Sequence, residues 1–226
     1  MAKQKLKAKA LLIDLDGTLV DSLRVFDAAL ESAFFAIGHD PQTDSFGVEI
    51  ARRLQLDLPL DTFFEKINVD EASRGKFLDV FLKSFYTQAT SKTALFPDVE
   101  DTLRELSRRF SLALITRRSA ANKQVAKELE RLRVDGFFKT IITALDVPKP
   151  TPSPDALLKA ADKLHVPISS CVVVSDSGVD IQAGKRAGAK TVAVLSGLFK
   201  EDELVKDGPD RIIESINRLP EYLVPE

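Results

Sequence analysis

Ala10-Leu11-Leu12-Ile13-Asp14-Leu15-Asp16-Gly17-Thr18-Leu19-Val20-Asp21-Ser22 is the stretch that decides how the rest of the chain is read. Its first four residues form a continuous apolar run, which fits a buried strand. The run ends at two carboxylates two residues apart, followed by a glycine, the pattern of a reaction centre at a strand's C-terminal edge. In extended backbone, positions i and i+2 share a face, whereas in a helix they diverge. A buried carboxylate without a partner is unfavourable, so the pair calls for a counter-charge, which a divalent cation supplies most simply.

Working outward, Asp21 or Ser22 caps a predicted helix to about Ala36 with Leu23, Phe26, Leu30 and Phe34 on one stripe, and Gly38 ends it. Helical patterns follow over Val48–Leu56, around Phe63, Phe64 and Ile67, and from Glu71 to about Ala89, where Phe77, Phe81, Phe85, Val80 and Leu82 form an apolar face. These phenylalanines read as packing residues. No strand pattern appears between Leu23 and Ala89.

From Phe96 the texture changes. Pro97–Arg109 reads as a helix with Pro near N1 and Asp98, Glu100 and Asp101 in its first turn. Strands at 111–115, 140–143, 171–174 and 191–195 alternate with helices at 119–133, 155–164 and 179–187. A last strand near Arg211–Ile213 precedes a terminal helix. Strands alternating with helices imply an α/β fold, a Rossmann-like parallel sheet flanked by helices, into which an all-helical cap is inserted. The expected division is 1–20 core, 21–90 cap, 91–226 core.

The formal net charge of −2 gives no global field favouring nucleic acid or an anionic membrane. Lys3, Lys5, Lys7 and Lys9 read as a solubilising arm beside the first strand. A single cysteine, Cys171, starts an apolar run and reads as a buried, inert thiol, so no intrachain disulfide is expected. No run approaches eighteen apolar residues and no signal-like N-terminus is present, so a cytoplasmic protein without a membrane partner is expected. His39 and His165 read as surface residues. Nothing marks an interface, and a monomer or weak homodimer is expected.

Open parallel sheets bind ligands beyond the C-termini of their strands. The predicted strands place polar residues at four such ends: Asp14 and Asp16, Thr116, Lys149 in the following loop, and Asp176 with Asp180. A lone Asp after an apolar run is usually a helix cap. Four ends converging on one crevice form a phosphoryl-transfer set. Mg²⁺ takes a few carboxylates plus water and phosphate oxygens, Lys149 neutralises charge, and Thr116 donates a hydrogen bond. One of the first two carboxylates would attack phosphorus and the other would exchange a proton; the residues alone leave open which does which.

Asp14-Leu-Asp-Gly-Thr-Leu-Val-Asp-Ser22 resembles the first motif of the haloacid dehalogenase-like hydrolase superfamily. Thr116 resembles the second, Lys149-Pro150-Thr151-Pro152 the third, and Ser175-Asp176-Ser177-Gly178-Val179-Asp180 the fourth, with Ile181–Gly188 continuing the pattern. The resemblance implies that Asp14 is a nucleophile forming an aspartyl-phosphate and that Asp16 is the general acid and then base, its carbonyl binding Mg²⁺. It also implies that Thr116 and Lys149 hold the phosphoryl group, that Asp14, Asp16, Asp176 and Asp180 serve the metal, and that Gly17 lets backbone amides approach phosphate. Retaining Asp16 favours a phosphatase over a dehalogenase.

Three departures stand out. Ser175 replaces a usual Gly, Arg117 and Arg118 follow Thr116 where a small polar residue is usual, and Pro97-Asp98 replaces a common Pro-Gly. Arg117 reads either as a contact for a substrate's distal anionic group or as a salt-bridge residue. Arg24, Glu49, Arg52, Arg53, Lys66, Arg74 and Lys83 are the charged cap residues from which specificity contacts would come. The expected substrate is a small phosphorylated metabolite, phosphoglycolate or a sugar phosphate. A phosphosugar mutase and a non-catalytic phosphate- or partner-binding module are the alternatives.

Overall fold

The computed structural model describes residues 5–40, 46–56 and 58–226; Lys3 lies outside them. The chain divides into two compact units, Met1–Asp21 with Leu95–Glu226, and Ser22–Ala94. It runs through β1 (Leu6–Ala8), β2 (Ala10–Asp14) and β3 (Val20–Asp21), then the four helices α1 (Leu23–Ala36), α2 (Phe46–Gln55), α3 (Asp61–Lys66) and α4 (Glu71–Lys92). After β4 (Ala94–Leu95) strands and helices alternate: α5 (Val99–Ser107), β5 (Ser111–Ile115), α6 (Asn122–Arg131), β6 (Phe138–Ile142), α7 (Asp155–Lys163), β7 (Cys171–Ser175) and α8 (Gly178–Ala187). β8 (Lys190–Val194), α9 (Glu201–Leu204), β9 (Arg211–Ile213) and β10 (Leu223–Pro225) complete it.

Among the described residues, six strands form a parallel sheet in the order β6-β5-β2-β7-β8-β9. β2 is central because its run can be buried on both faces: Ala10 to Ile13 are each at most 1% exposed. Side-chain alternation sends Ala10 and Leu12, with Ala113, Ile115, Cys171 and Val173, to the face covered by Ala156, Leu157, Ala160 and Ala161 of α7. From β2 the chain winds outward through β5 and β6, then resumes on the opposite side with β7. Strand order therefore reverses between β2 and β7, the place where open α/β sheets leave a crevice. Register keeps the C-terminal ends level, Asp14 beside Ile115 and Ile13 beside Val174.

The Ser22–Ala94 unit is built from helices between Leu23 and Lys92 in its described part, as its spacing predicts. Its phenylalanines pack on one another, Phe34 edge-on to Phe77 at 5.3 Å and Phe26 against Phe85 at 4.4 Å between ring centres. Leu82 turns outward and lies exposed, so it does not join that face. Ser22 occupies the N-cap of α1 without a side-chain bond, whereas Asp70 caps α4 by accepting from the Ser73 N–H at 3.1 Å. Of the charged candidates here, Glu49 accepts from Arg53 and Lys66, and Arg74 pairs with Asp61.

Two expectations change in the other unit. α5 starts at Val99, two residues past Pro97, and Asp98 at its N-cap has φ +61° with no side-chain cap bond. The usual glycine there answers to backbone conformation rather than to the helix dipole. The expected terminal helix is instead a 3₁₀ segment, Ile216–Tyr222, because Pro220 has no N–H to continue an α-helix. β10 then pairs in parallel with β1, inside the expected basic arm. Among the described residues no helix is long and apolar enough to cross a membrane.

Candidate active site

The loop after β2 closes on itself. Leu19 and Val20 donate their N–H groups to the Leu15 carbonyl at 2.9 and 3.0 Å, and the Gly17 N–H donates to the Val20 carbonyl at 2.9 Å. Gly17 sits at φ +77°, a conformation glycine adopts without strain, and a Cβ here would collide with the Asp176 carboxylate. Its amide is engaged in the turn, and its missing side chain makes room for a carboxylate. Thr18, fully buried, accepts from the Asp176 N–H at 3.1 Å and donates to Asp14 Oδ2 at 3.3 Å, tying the two loops together.

The loop after β7 is held as firmly. Asp176 Oδ2 accepts from the Leu198 N–H at 3.0 Å, while its Oδ1 is buried with no hydrogen-bond partner. The backbone of Ser196-Gly197-Leu198 wraps this side chain: a Cβ on Gly197 would collide with Asp176, and Ser196 Oγ donates to the Gly17 carbonyl at 2.7 Å. Ser175 does more than add bulk. Its hydroxyl donates to Asp180 Oδ2 at 2.8 Å and accepts from the Ser177 N–H at 3.0 Å, stapling the loop to the first turn of α8.

These carboxylates repel one another. Burial first, then Asp180, Asp176 and Asp16, push Asp14 well above the ordinary carboxylate range. Burial, opposed by the Leu198 N–H and reinforced by Asp180 and Asp16, lifts Asp176 to about 7. Burial also raises Asp180, against the opposing pull of Arg117 and the Ser175 and Thr151 hydroxyls. Such a group gains from any cation placed among its oxygens. Cys171, by contrast, is buried and lifted to about 11 by that burial, an inert thiol as its position in the apolar run implied.

Thr116, buried just beyond β5, donates its N–H to the Ile142 carbonyl, and its Oγ1 accepts from the Arg118 N–H at 3.3 Å. The hydroxyl proton therefore remains available to a ligand. Arg117 bears on Asp180. Lys149 lies exposed in the loop that follows β6, whose last residue is Ile142.

Glu128 and Gly197 go unremarked in the sequence, Thr18 reads only as part of the first motif, and Arg118 only as a departure from the usual small polar residue. Arg118 grips Asp16 with two bonds, Nε to Oδ2 at 2.7 Å and Nη2 to Oδ1 at 2.6 Å, and its Nη1 donates to Glu128 Oε2. Burial opposes its charge, yet Asp16 and Glu128 more than offset this and raise its pKa. A signal for the pair existed: Glu128 falls at helical spacing between Val125 and Leu129 on the buried stripe of α6, where a carboxylate needs a partner.

Among the described residues no set of three or more His, Cys, Asp or Glu side chains is disposed to hold a metal ion by itself. A hard cation that keeps several waters needs fewer: one or two carboxylates and a carbonyl suffice. The unpartnered Asp176 Oδ1 and the raised pKa values of Asp14 and Asp176 fit that requirement.

Residues 11–194 match the model of the family described as haloacid dehalogenase-like hydrolase. The chain is 30% identical to a phosphoglycolate phosphatase from Pseudomonas syringae pv. tomato, over 93% of this chain and 78% of that protein. It is 31% identical to the pyrophosphatase PpaX of Oceanobacillus iheyensis, over 92% of this chain and 93% of that one. Its fold is similar to that of a haloacid dehalogenase-like family hydrolase from Streptococcus pneumoniae, with a TM-score of 0.79 and 21% identity, covering 95% of this chain and 98% of the other. The loops that converge where strand order reverses and the family match over most of the chain agree: this protein belongs to the haloacid dehalogenase-like hydrolases.

Proposed function

We propose that the protein hydrolyses a small phosphate monoester through an aspartyl-phosphate on Asp14, with Mg²⁺ as cofactor. The observation that carries the reading is the convergence of Asp14, Asp16, Asp176 and Asp180 at one sheet edge, with Asp176 Oδ1 lacking any partner. Asp14, the Asp16 carbonyl and Asp176 would hold the metal, with Asp180 beside them. Bound there, Mg²⁺ neutralises the carboxylates and the charge on a phosphoryl group.

In the first half-reaction an Asp14 oxygen bonds to phosphorus as the ester P–O bond breaks, and Asp16 delivers a proton to the leaving oxygen. In the second, Asp16 takes a proton from water as that water's oxygen bonds to phosphorus, releasing inorganic phosphate and the Asp14 carboxylate. Thr116, its lone pair engaged by the Arg118 N–H, donates its hydroxyl proton to a phosphoryl oxygen. Lys149, exposed in the loop after β6, would neutralise charge on the phosphoryl group.

The similarity to proteins named phosphoglycolate phosphatase supports phosphoglycolate as the first substrate to test, and the similarity to a pyrophosphatase adds pyrophosphate. A panel of phosphomonoesters and pyrophosphate with Mg²⁺ decides between turnover and mere binding. Phosphate release no faster than by Asp14→Asn would end the enzymatic reading.

A further inference from the structure

We infer that Arg118, braced by Glu128, is a positioning residue that sets where the Asp16 carboxylate points during proton transfer. The inference rests on the acid–base role proposed for Asp16. Arg118 and Glu128 touch neither phosphorus nor metal in that scheme, so their effect must pass through Asp16.

The geometry is specific. A carboxylate on a loop can rotate about two side-chain bonds, and here both of its oxygens are held by the fork of one guanidinium, at 2.7 and 2.6 Å. A planar fork fixes the plane of a carboxylate as well as its distance, which an ammonium cannot do. The fork is itself fixed. Its third nitrogen donates to Glu128 on α6, its backbone N–H donates to Thr116 Oγ1, and its carbonyl accepts from the Ala144 N–H at 3.2 Å. Arg118 and Glu128 side chains are 5% and 1% exposed, so neither is a surface charge that happened upon a partner.

The chain therefore runs from a regular helix, through a buried guanidinium, to the residue assigned to proton transfer. Sites hold their geometry when the supporting groups are locked by packing and hydrogen bonds. Displacement of a reacting group by about 1 Å can lower a rate about 10²-fold. A neutral residue at 118 would take from Asp16 and Glu128 the guanidinium that they share.

The test separates positioning from folding by the leaving group. Steady-state rates are measured with Mg²⁺ for phosphoglycolate, whose alkoxide leaving group needs a proton, and for p-nitrophenyl phosphate, whose leaving group does not. Arg118→Lys keeps the charge and loses the fork. Arg118→Met/Glu128→Met removes both buried charges together, so that neither is stranded if a single change misfolds. Both variants should lose about 10²-fold in kcat on phosphoglycolate and about tenfold or less on p-nitrophenyl phosphate, with unchanged KM. Equal losses on both substrates, or none on either, would overturn the positioning role while leaving the phosphatase reading intact. A wild-type protein that releases phosphate from no member of the panel faster than Asp14→Asn would remove both.

Discussion

Gly197 lies so close to Asp176 that a methyl group on its α-carbon would overlap that residue's Oδ2, Cγ and Cβ. The loop after β8 is thus shaped around one carboxylate from the loop after β7, and the Leu198 N–H completes the grip. Gly197→Ala should push Asp176 aside or open the loop, with a loss of about 1–3 kcal/mol in stability, the usual range for overpacking a filled site. Activity should fall further than stability alone explains, because the displaced side chain is the proposed metal ligand. Calorimetric Mg²⁺ titration of Gly197→Ala checks this, and wild-type affinity would contradict it.

The raised carboxylates make a signed prediction about pH. Asp176 titrates near 7 in the folded protein and from an ordinary value of 3.8 when unfolded, so between these values the folded chain binds more protons. Stability then falls as pH rises through that window. Asp14 and Asp180 are shifted in the same direction. With a chelator present, the melting temperature should be lower at pH 8 than at pH 6. Asp176→Asn should shrink the difference, and Mg²⁺ should restore stability at pH 8. A metal-free protein that gains stability from pH 6 to 8 would show that the cluster does not control this window.

Asp98 holds φ +61° at the start of α5 without using its side chain as a cap. Asp tolerates the left-handed region better than most residues, but glycine adopts it freely. Asp98→Gly should leave the fold intact and gain about 0.5–1 kcal/mol, the relief of strain exceeding the added flexibility of the unfolded chain. Asp98→Val should lose at least as much. Urea denaturation of the two variants checks the order, and a less stable glycine variant would mean that the carboxylate contributes what the hydrogen bonds do not show.

What the chain revealed before its structure was known followed from periodicity. The apolar run of β2, the alternating strands after Ser111 and the phenylalanine stripe of α4 are local patterns, and local patterns survive folding. The ends of those strands could be read too, so Asp14, Asp16, Thr116 and Asp176 were in view. Features made by residues far apart were not. The Asp16–Arg118 pair joins positions 102 residues apart, and Thr18 reaches Asp176 across 158. Nothing near Gly197 announces that a carboxylate will lie against it. β10 is three residues long, and only its pairing with β1 makes it a strand.

Ser175 provides a last test, because the glycine usual at its position in the resemblance could not make either of its bonds. Its hydroxyl donates to Asp180 and accepts from the Ser177 N–H, both inside the protein. Ser175→Gly would leave a buried N–H and a buried carboxylate oxygen each short of a partner, at about 1–3 kcal/mol for a group left unsatisfied. Losing that hydroxyl also removes one influence that opposes the raised pKa of Asp180, so the carboxylate should rise further. In metal-free protein the variant should therefore be less stable than wild type at pH 8, and the gap should narrow at pH 6, where Asp180 more readily carries a proton. Thermal melts at the two pH values read this directly. A gap independent of pH would assign the loss to backbone freedom at residue 175 and separate Asp180 from it.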